Sequence, residues 1–160
     1  MAVGAHFAWT PKDPAVWTNG TIEYPEAATQ TFKRGTPVVL DSNGRIAACG
    51  ASPASIFGVA ATAGQNGSAG QYTTIVIPLR ANQLWRMSLL EALTQNLFGQ
   101  SGGKVGIVKD ATTGFWYAST ADTGDQVVLV DYVQGPAGMV IGDTIAPVYV
   151  EFVSTVLQVF

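Results

Sequence analysis

Residues 35–48 read Gly35-Thr36-Pro37-Val38-Val39-Leu40-Asp41-Ser42-Asn43-Gly44-Arg45-Ile46-Ala47-Ala48. An apolar, β-branched run, a polar Asp-Ser-Asn-Gly stretch and a second apolar run make the pattern of a β-hairpin. Asn-Gly tolerates the positive φ values that tight turns place at their centre. The expectation is an antiparallel pair, and the rest of the chain repeats the pattern.

Downstream, Ser55-Ile56-Phe57-Gly58-Val59-Ala60 is a third run and residues 72–79 are a fourth. In the fifth, Trp85, Met87 and Leu89 alternate with Arg86 and Ser88, which gives one apolar face. Lys104-Val105-Gly106-Ile107-Val108 and Phe115-Trp116-Tyr117 read as a second hairpin around Asp110-Ala111-Thr112-Thr113-Gly114. Val127-Val128-Leu129-Val130 reads as a strand covered on both faces. Residues 147–160 carry Val148, Val150 and Phe152 on one side and stay apolar to Phe160, so they are expected to be paired or packed. The spacing of Leu90, Leu93 and Leu97, with Gly99 as a stop, predicts one short helix over 90–98. No repeat suggests a solenoid or propeller. The fold class is therefore mostly β, a small β-barrel or sandwich-like domain over residues 31–160.

Residues 1–30 differ from this. Phe7, Trp9, Trp17 and Tyr24 are strewn among Pro11, Pro14, Asn19, Gly20 and Pro25 with no sustained period, as in an extended N-terminal arm. So many aromatics make a poor solvated tail. Two placements follow: the arm wraps its own domain, or it lies on a partner, where an extended segment can join a sheet edge.

The chain of 160 residues is 12% charged and 48% hydrophobic, with 18 glycines. About 25% charge is usual, so part of the surface is expected to be buried against other copies or another protein. Eight basic and eleven acidic residues give a net charge of −3. The basic residues are scattered, which disfavours direct nucleic-acid binding. Cys49 is the one cysteine, so no intramolecular disulfide exists, and a lone thiol suits a reducing cytoplasm. Met1 to His6 lack the pattern of a secretory signal. No apolar run approaches the roughly 18 residues of a membrane helix. A soluble intracellular product without membrane association is expected.

Catalytic chemistry has little to draw on. The single histidine, His6, lies in the arm, and Cys49 sits in the apolar Ile46-Ala47-Ala48-Cys49-Gly50, so neither a Ser-His-Asp nor a Cys-His site is expected. One histidine and one cysteine cannot build the usual zinc site. Asp41-Ser42-Asn43-Gly44 resembles the start of a calcium loop, yet Ser52 stands where that loop needs a bidentate glutamate. Gly64-Gln65-Asn66-Gly67-Ser68-Ala69-Gly70 is followed by no Gly-Lys-Ser/Thr and reads as a flexible loop. The sequons at Asn19 and Asn66 carry no meaning without a secretory route. Asp110, Asp122, Asp125, Asp131 and Asp143 are read chiefly as turn and strand-end residues. No catalytic residue, cofactor or metal is expected.

Three stretches together resemble the bacteriophage capsid cement, or head decoration, proteins. They are Gly35 to Ile46 with Ile56-Phe57-Gly58-Val59-Ala60, then Leu93-Thr94-Gln95-Asn96-Leu97-Phe98-Gly99 with residues 104–110, then Phe115-Trp116-Tyr117 with the strand over 127–132. The resemblance spans roughly residues 30–135. It implies a β-tulip-type domain in a non-enzymatic virion protein on the outside of an icosahedral capsid, clamping neighbouring major capsid protein subunits. It further implies homotrimers near three-fold or quasi-three-fold positions and an arm that reaches the shell. Phe7, Trp9, Trp17 and Tyr24 match no family motif; their assignment to the capsid contact rests on the anchoring capacity of aromatics. The alternatives are a phage tail-tube or fibre-associated β-domain, and a small-ligand (sugar) binding β-barrel with Trp85 or Trp116 as an aromatic platform beside Arg86.

Overall fold

A computed structural model describes residues 9–13, 20–92, 94, 103–122, 124–132 and 142–158. Its strands, in chain order, are β1 (Thr10–Pro11), β2 (Ile22–Pro25), β3 (Pro37–Leu40), β4 (Ile46–Ala48), β5 (Gly58–Ala60), β6 (Thr73–Pro78), β7 (Leu84–Ser88), β8 (Lys104–Lys109), β9 (Trp116–Ser119), β10 (Val127–Tyr132) and β11 (Pro147–Phe152). They form a five-stranded sheet in the order β2-β6-β5-β3-β4 and a six-stranded sheet in the order β1-β7-β11-β10-β8-β9. Every strand pair within them is antiparallel. The mostly-β barrel or sandwich expected from the sequence is the fold found.

The Asp41–Gly44 turn works as its composition predicts. β3 pairs with β4 in the register Val38↔Ala48, Val39↔Ala47 and Leu40↔Ile46. Gly44 takes φ 70°, and Asp41 Oδ1 accepts from the amides of Asn43 at 2.8 Å and Arg45 at 2.9 Å. The Arg45 amide, foremost among the causes, holds the Asp41 carboxyl below its ordinary range.

Alternation along the five-stranded sheet divides its side chains between two cores. Val38, Leu40, Ala60 and Val76 join Phe32, Ile46 and Phe57 in a small core on one face. Val59 and Ile77 point the other way, into a larger core with Trp85, Met87, Leu89, Val148 and Val150 of the six-stranded sheet. Burying both faces requires the sheet to curl, and its edges approach: Glu26, just past β2, bridges Ile46 of β4, and the Ala27 amide donates to the Ile46 carbonyl at 2.8 Å. Gly58 permits tight packing inside the curl, since a Cβ there would lie 2.5 Å from Val76 Cγ1 and 2.6 Å from the Ile77 carbonyl oxygen. The second sheet curls likewise, with Leu89 beyond β7 bridging Ala118 of β9.

The residues after β11 fasten the two sheets together. A 3-10 turn (Ser154–Val156) leads to Leu157, which bridges Ile56. The Ile56 amide donates to the Val156 carbonyl at 2.6 Å, and the Gln158 amide donates to the Ile56 carbonyl at 2.9 Å. The Gln158 side chain then accepts from the Leu40 amide at 3.0 Å and donates to the Leu40 carbonyl at 3.1 Å. A single carboxamide thus satisfies both polar groups of a strand-end residue, as a neighbouring strand would.

Two sequence expectations need correction. Residues 90–92 and 94 are not helical, and the remainder of the helix expected over 90–98 lies outside the described residues. Extended pairing wins here: the Leu90 amide donates to the Ala118 carbonyl at 2.9 Å, prolonging β7 alongside β9. Nor is Val127–Val130 covered on both faces. A β-bulge between Leu129 and Asp131 turns Val130 outward to 46% exposure.

Candidate interaction surface

Two described segments of the arm pair with its own domain. β1 pairs with β7, Thr10 opposite Arg86 and Pro11 opposite Trp85, and the Lys12 amide donates to the Leu84 carbonyl at 2.8 Å. β2 pairs with β6 along Ile22↔Val76 to Pro25↔Thr73. Residues 9–13 and 20–30 therefore join both sheets, and of the two expected placements these segments take the one on their own domain.

The four aromatics proposed for the capsid contact separate accordingly. Trp9 is only 1% exposed. Its Nε1 donates to the Trp116 carbonyl at 3.1 Å, and its ring packs 6.3 Å from Trp116 and 5.5 Å from Phe152, centroid to centroid. Trp9 is a core residue that roots the arm, because the interior offers its indole both apolar contact and an acceptor. Tyr24 is half-buried, edge-on to Phe57 at 5.0 Å. Phe7 and Trp17 lie outside the described residues.

Between β2 and β3 lies a residue that sequence reasoning missed. Glu26 is 1% exposed. Its carboxylate accepts from Thr74 Oγ1 at 2.5 Å and from the Gln65 amide at 2.9 Å, while its backbone amide donates to the Tyr72 carbonyl and its carbonyl accepts from the Gly70 amide, each at 2.8 Å. The partners are 39 to 48 residues away in sequence, so no local pattern marks it. Further backbone bonds join Gly64 to Phe32, Asn66 to Gln30 and Thr29 to Gly67. The glycine-rich stretch read as a flexible loop is therefore pinned along residues 26–32. Its glycines serve close approach: a Cβ on Gly64 would sit 2.8 Å from the Gln30 carbonyl oxygen, and one on Gly67 2.5 Å from the Tyr72 ring.

Other candidate residues serve the fold. Trp85 and Trp116 are buried in the larger core, so neither offers the open platform that sugar binding would need. A depression of about 600 Å³ is lined instead by Lys12, Asp13, Arg80, Asn82, Gln83 and Leu84. Asp110 accepts from the amides of Thr112 and Thr113, and Asp122 from the Gly124 amide. Cys49 is buried, and desolvation pushes its thiol up to about 12. Among the described residues no three His, Cys, Asp or Glu side chains group to hold a metal ion.

The arm root and the whole five-stranded sheet, up to Leu79, coincide with a segment found elsewhere: the family model described as phage cement protein matches residues 8–79. Over residues 8–79 the chain is similar to the phage cement proteins. No curated protein and no solved structure matches the chain. The cement segment contains the first of the three resembling stretches, residues 35–60, whereas those over 93–110 and 115–132 lie beyond it. The match over these residues supports a structural virion protein that stabilises the capsid.

Proposed function

We propose that this chain is a cement protein that binds the outer surface of an icosahedral phage capsid and clamps neighbouring major capsid protein subunits, after synthesis in the host cytoplasm. The observation that carries the reading is the coincidence of the cement segment with one structural unit, the arm root and the curled five-stranded sheet. Clamping requires rigid geometry repeated at many sites and no chemistry. Several copies of a small surface then add up to a strong hold, and a homotrimer at a three-fold or quasi-three-fold position supplies that multiplicity. Phe7, Trp17 and Tyr24 are the proposed arm contacts, with Trp9 anchored in the core between Phe7 and Trp17 in sequence.

Co-sedimentation with expanded, undecorated heads of the phage that carries the gene tests the reading. Deleting residues 1–30 would remove Trp9 from the core and β2 from its sheet, so the informative variant is the pair Phe7→Ala and Trp17→Ala in the full chain. Saturable binding that weakens in the variant supports the arm contact. Equal binding of both proteins would remove these side chains from the contact, and no binding by either would overturn the capsid reading.

A further inference from the structure

From Ile46 through Leu79 the chain carries no Asp, Glu, Lys, Arg or His. Such a stretch would be unremarked in a buried strand, but much of this one is on the surface: Gln65, Asn66, residues 68–73 and Ile75 are all exposed. Roughly 25–35% of a soluble surface is normally charged. Within this patch stand Tyr72 at 36% exposure and Ile75 at 39%. The outward face of β6 is covered by the second sheet at Ile77 and left open at Ile75 and Thr73. Two acids adjoin it: Glu26, buried beneath Gln65 and Thr74, and the exposed Glu23, which pairs opposite Ile75 and accepts a hydrogen bond from the Thr73 hydroxyl.

From this we infer that the uncharged rim formed by residues 65–75 is the surface that docks on the outer face of the capsid shell, against a protein surface that is itself uncharged and offers amide and hydroxyl groups. The inference rests on the cement reading and locates its contact. Three observations favour it. Amides and hydroxyls cost far less to strip of water than charges do. The rim is already ordered, because the Glu26 carboxylate and the backbone bonds to residues 26–32 hold it, so docking pays little for ordering. Finally, the rim lies wholly inside residues 8–79, whereas β7 to β11 lie outside them. What cement proteins have in common must be carried by the shared segment. Within it Trp9, Val38, Ile46, Val59 and Val76 are buried in the molecule's own cores, and the rim is open.

The test places a charge in the rim of the full-length protein and measures affinity for undecorated heads by co-sedimentation, with Ile75→Lys and Gln71→Glu as rim variants. Val130→Lys, at the exposed bulge of the other sheet, is the matched control, and thermal melting verifies that all three fold. The inference expects each rim variant to lose about tenfold or more in affinity, since docking must strip water from an added charge, whether single or paired with Glu23, while the control binds like the parent. Parental affinity in both rim variants, or an equal loss in the control, overturns the docking surface and leaves the capsid reading standing. Loss of self-association with head binding intact, read by light scattering, would reassign the rim to a contact between copies and likewise overturn it. A parent that does not bind heads overturns the capsid reading, and the docking surface falls with it.

Discussion

Replacing Trp9 with alanine empties a buried indole site and leaves the Trp116 carbonyl without its donor. A loss of about 3–5 kcal/mol is expected from the cavity, measured as a fall in the denaturant midpoint; an unchanged midpoint would contradict the rooted arm. Glu26→Ala strands a buried hydroxyl, Thr74 Oγ1, and the Gln65 amide. About 1–3 kcal/mol is expected for each orphaned group that remains buried, with Glu26→Gln recovering part of it. The Cys49 thiol is held protonated by desolvation, its value near 12 against about 8.5 in an unfolded chain. Burial of the neutral thiol is therefore fully favourable below the unfolded value, and that contribution is lost as pH rises toward 12. At pH 8 thiol reagents should label Cys49 at the rate of unfolding, and rapid labelling of the native protein would contradict its burial.

At the scale of the element, the β3–β4 hairpin gives a pH prediction with a definite sign. Asp41 titrates below the ordinary carboxylate range because the folded turn donates amides to its charged form. Its contribution is present above the unfolded value and lost as pH falls through the lowered one. An NMR titration of the Asp41 carboxyl should therefore show a midpoint below that of Asp in a peptide, and one at the peptide value would count against the turn. Gly44→Ala should cost about 1 kcal/mol or more, since φ there is 70°. This hairpin was legible in the sequence because everything that makes it lies within fourteen residues, and the same holds for the β8–β9 hairpin. The helical spacing that begins at Leu90 misled at its start, since it cannot reveal that β9 offers Leu90 a carbonyl. The rim was illegible for a related reason: the glycines of residues 64–70 look permissive until residues 26–32 are laid beside them.

Across the whole molecule, the sequence made plain that strands would dominate, and it concealed how the two sheets join. Beside their shared core, Gln158 ties them, an ordinary polar residue in an apolar stretch that meets Leu40 across most of the chain's length. Gln158→Ala should destabilise by about 1–3 kcal/mol, because both Leu40 groups lose a partner in a partly buried place. If the halves are coupled as described, the variant still melts in a single transition at a lower temperature. Two separated transitions would mean that the sheets unfold independently and that the clasp is the main link between them.

The position of that clasp in the chain also sets a timetable for synthesis. The five-stranded sheet is complete once Pro78 has emerged, and it can curl around its own small core while the other strands are still on the ribosome. Its outward face, with Val59 and Ile77, stays uncovered until the second sheet forms, and the Leu40 backbone waits longer still, for residue 158. A nascent chain stalled before that point would display a finished uncharged rim on an unfinished molecule. The rim and full stability are therefore acquired at different moments of the protein's life.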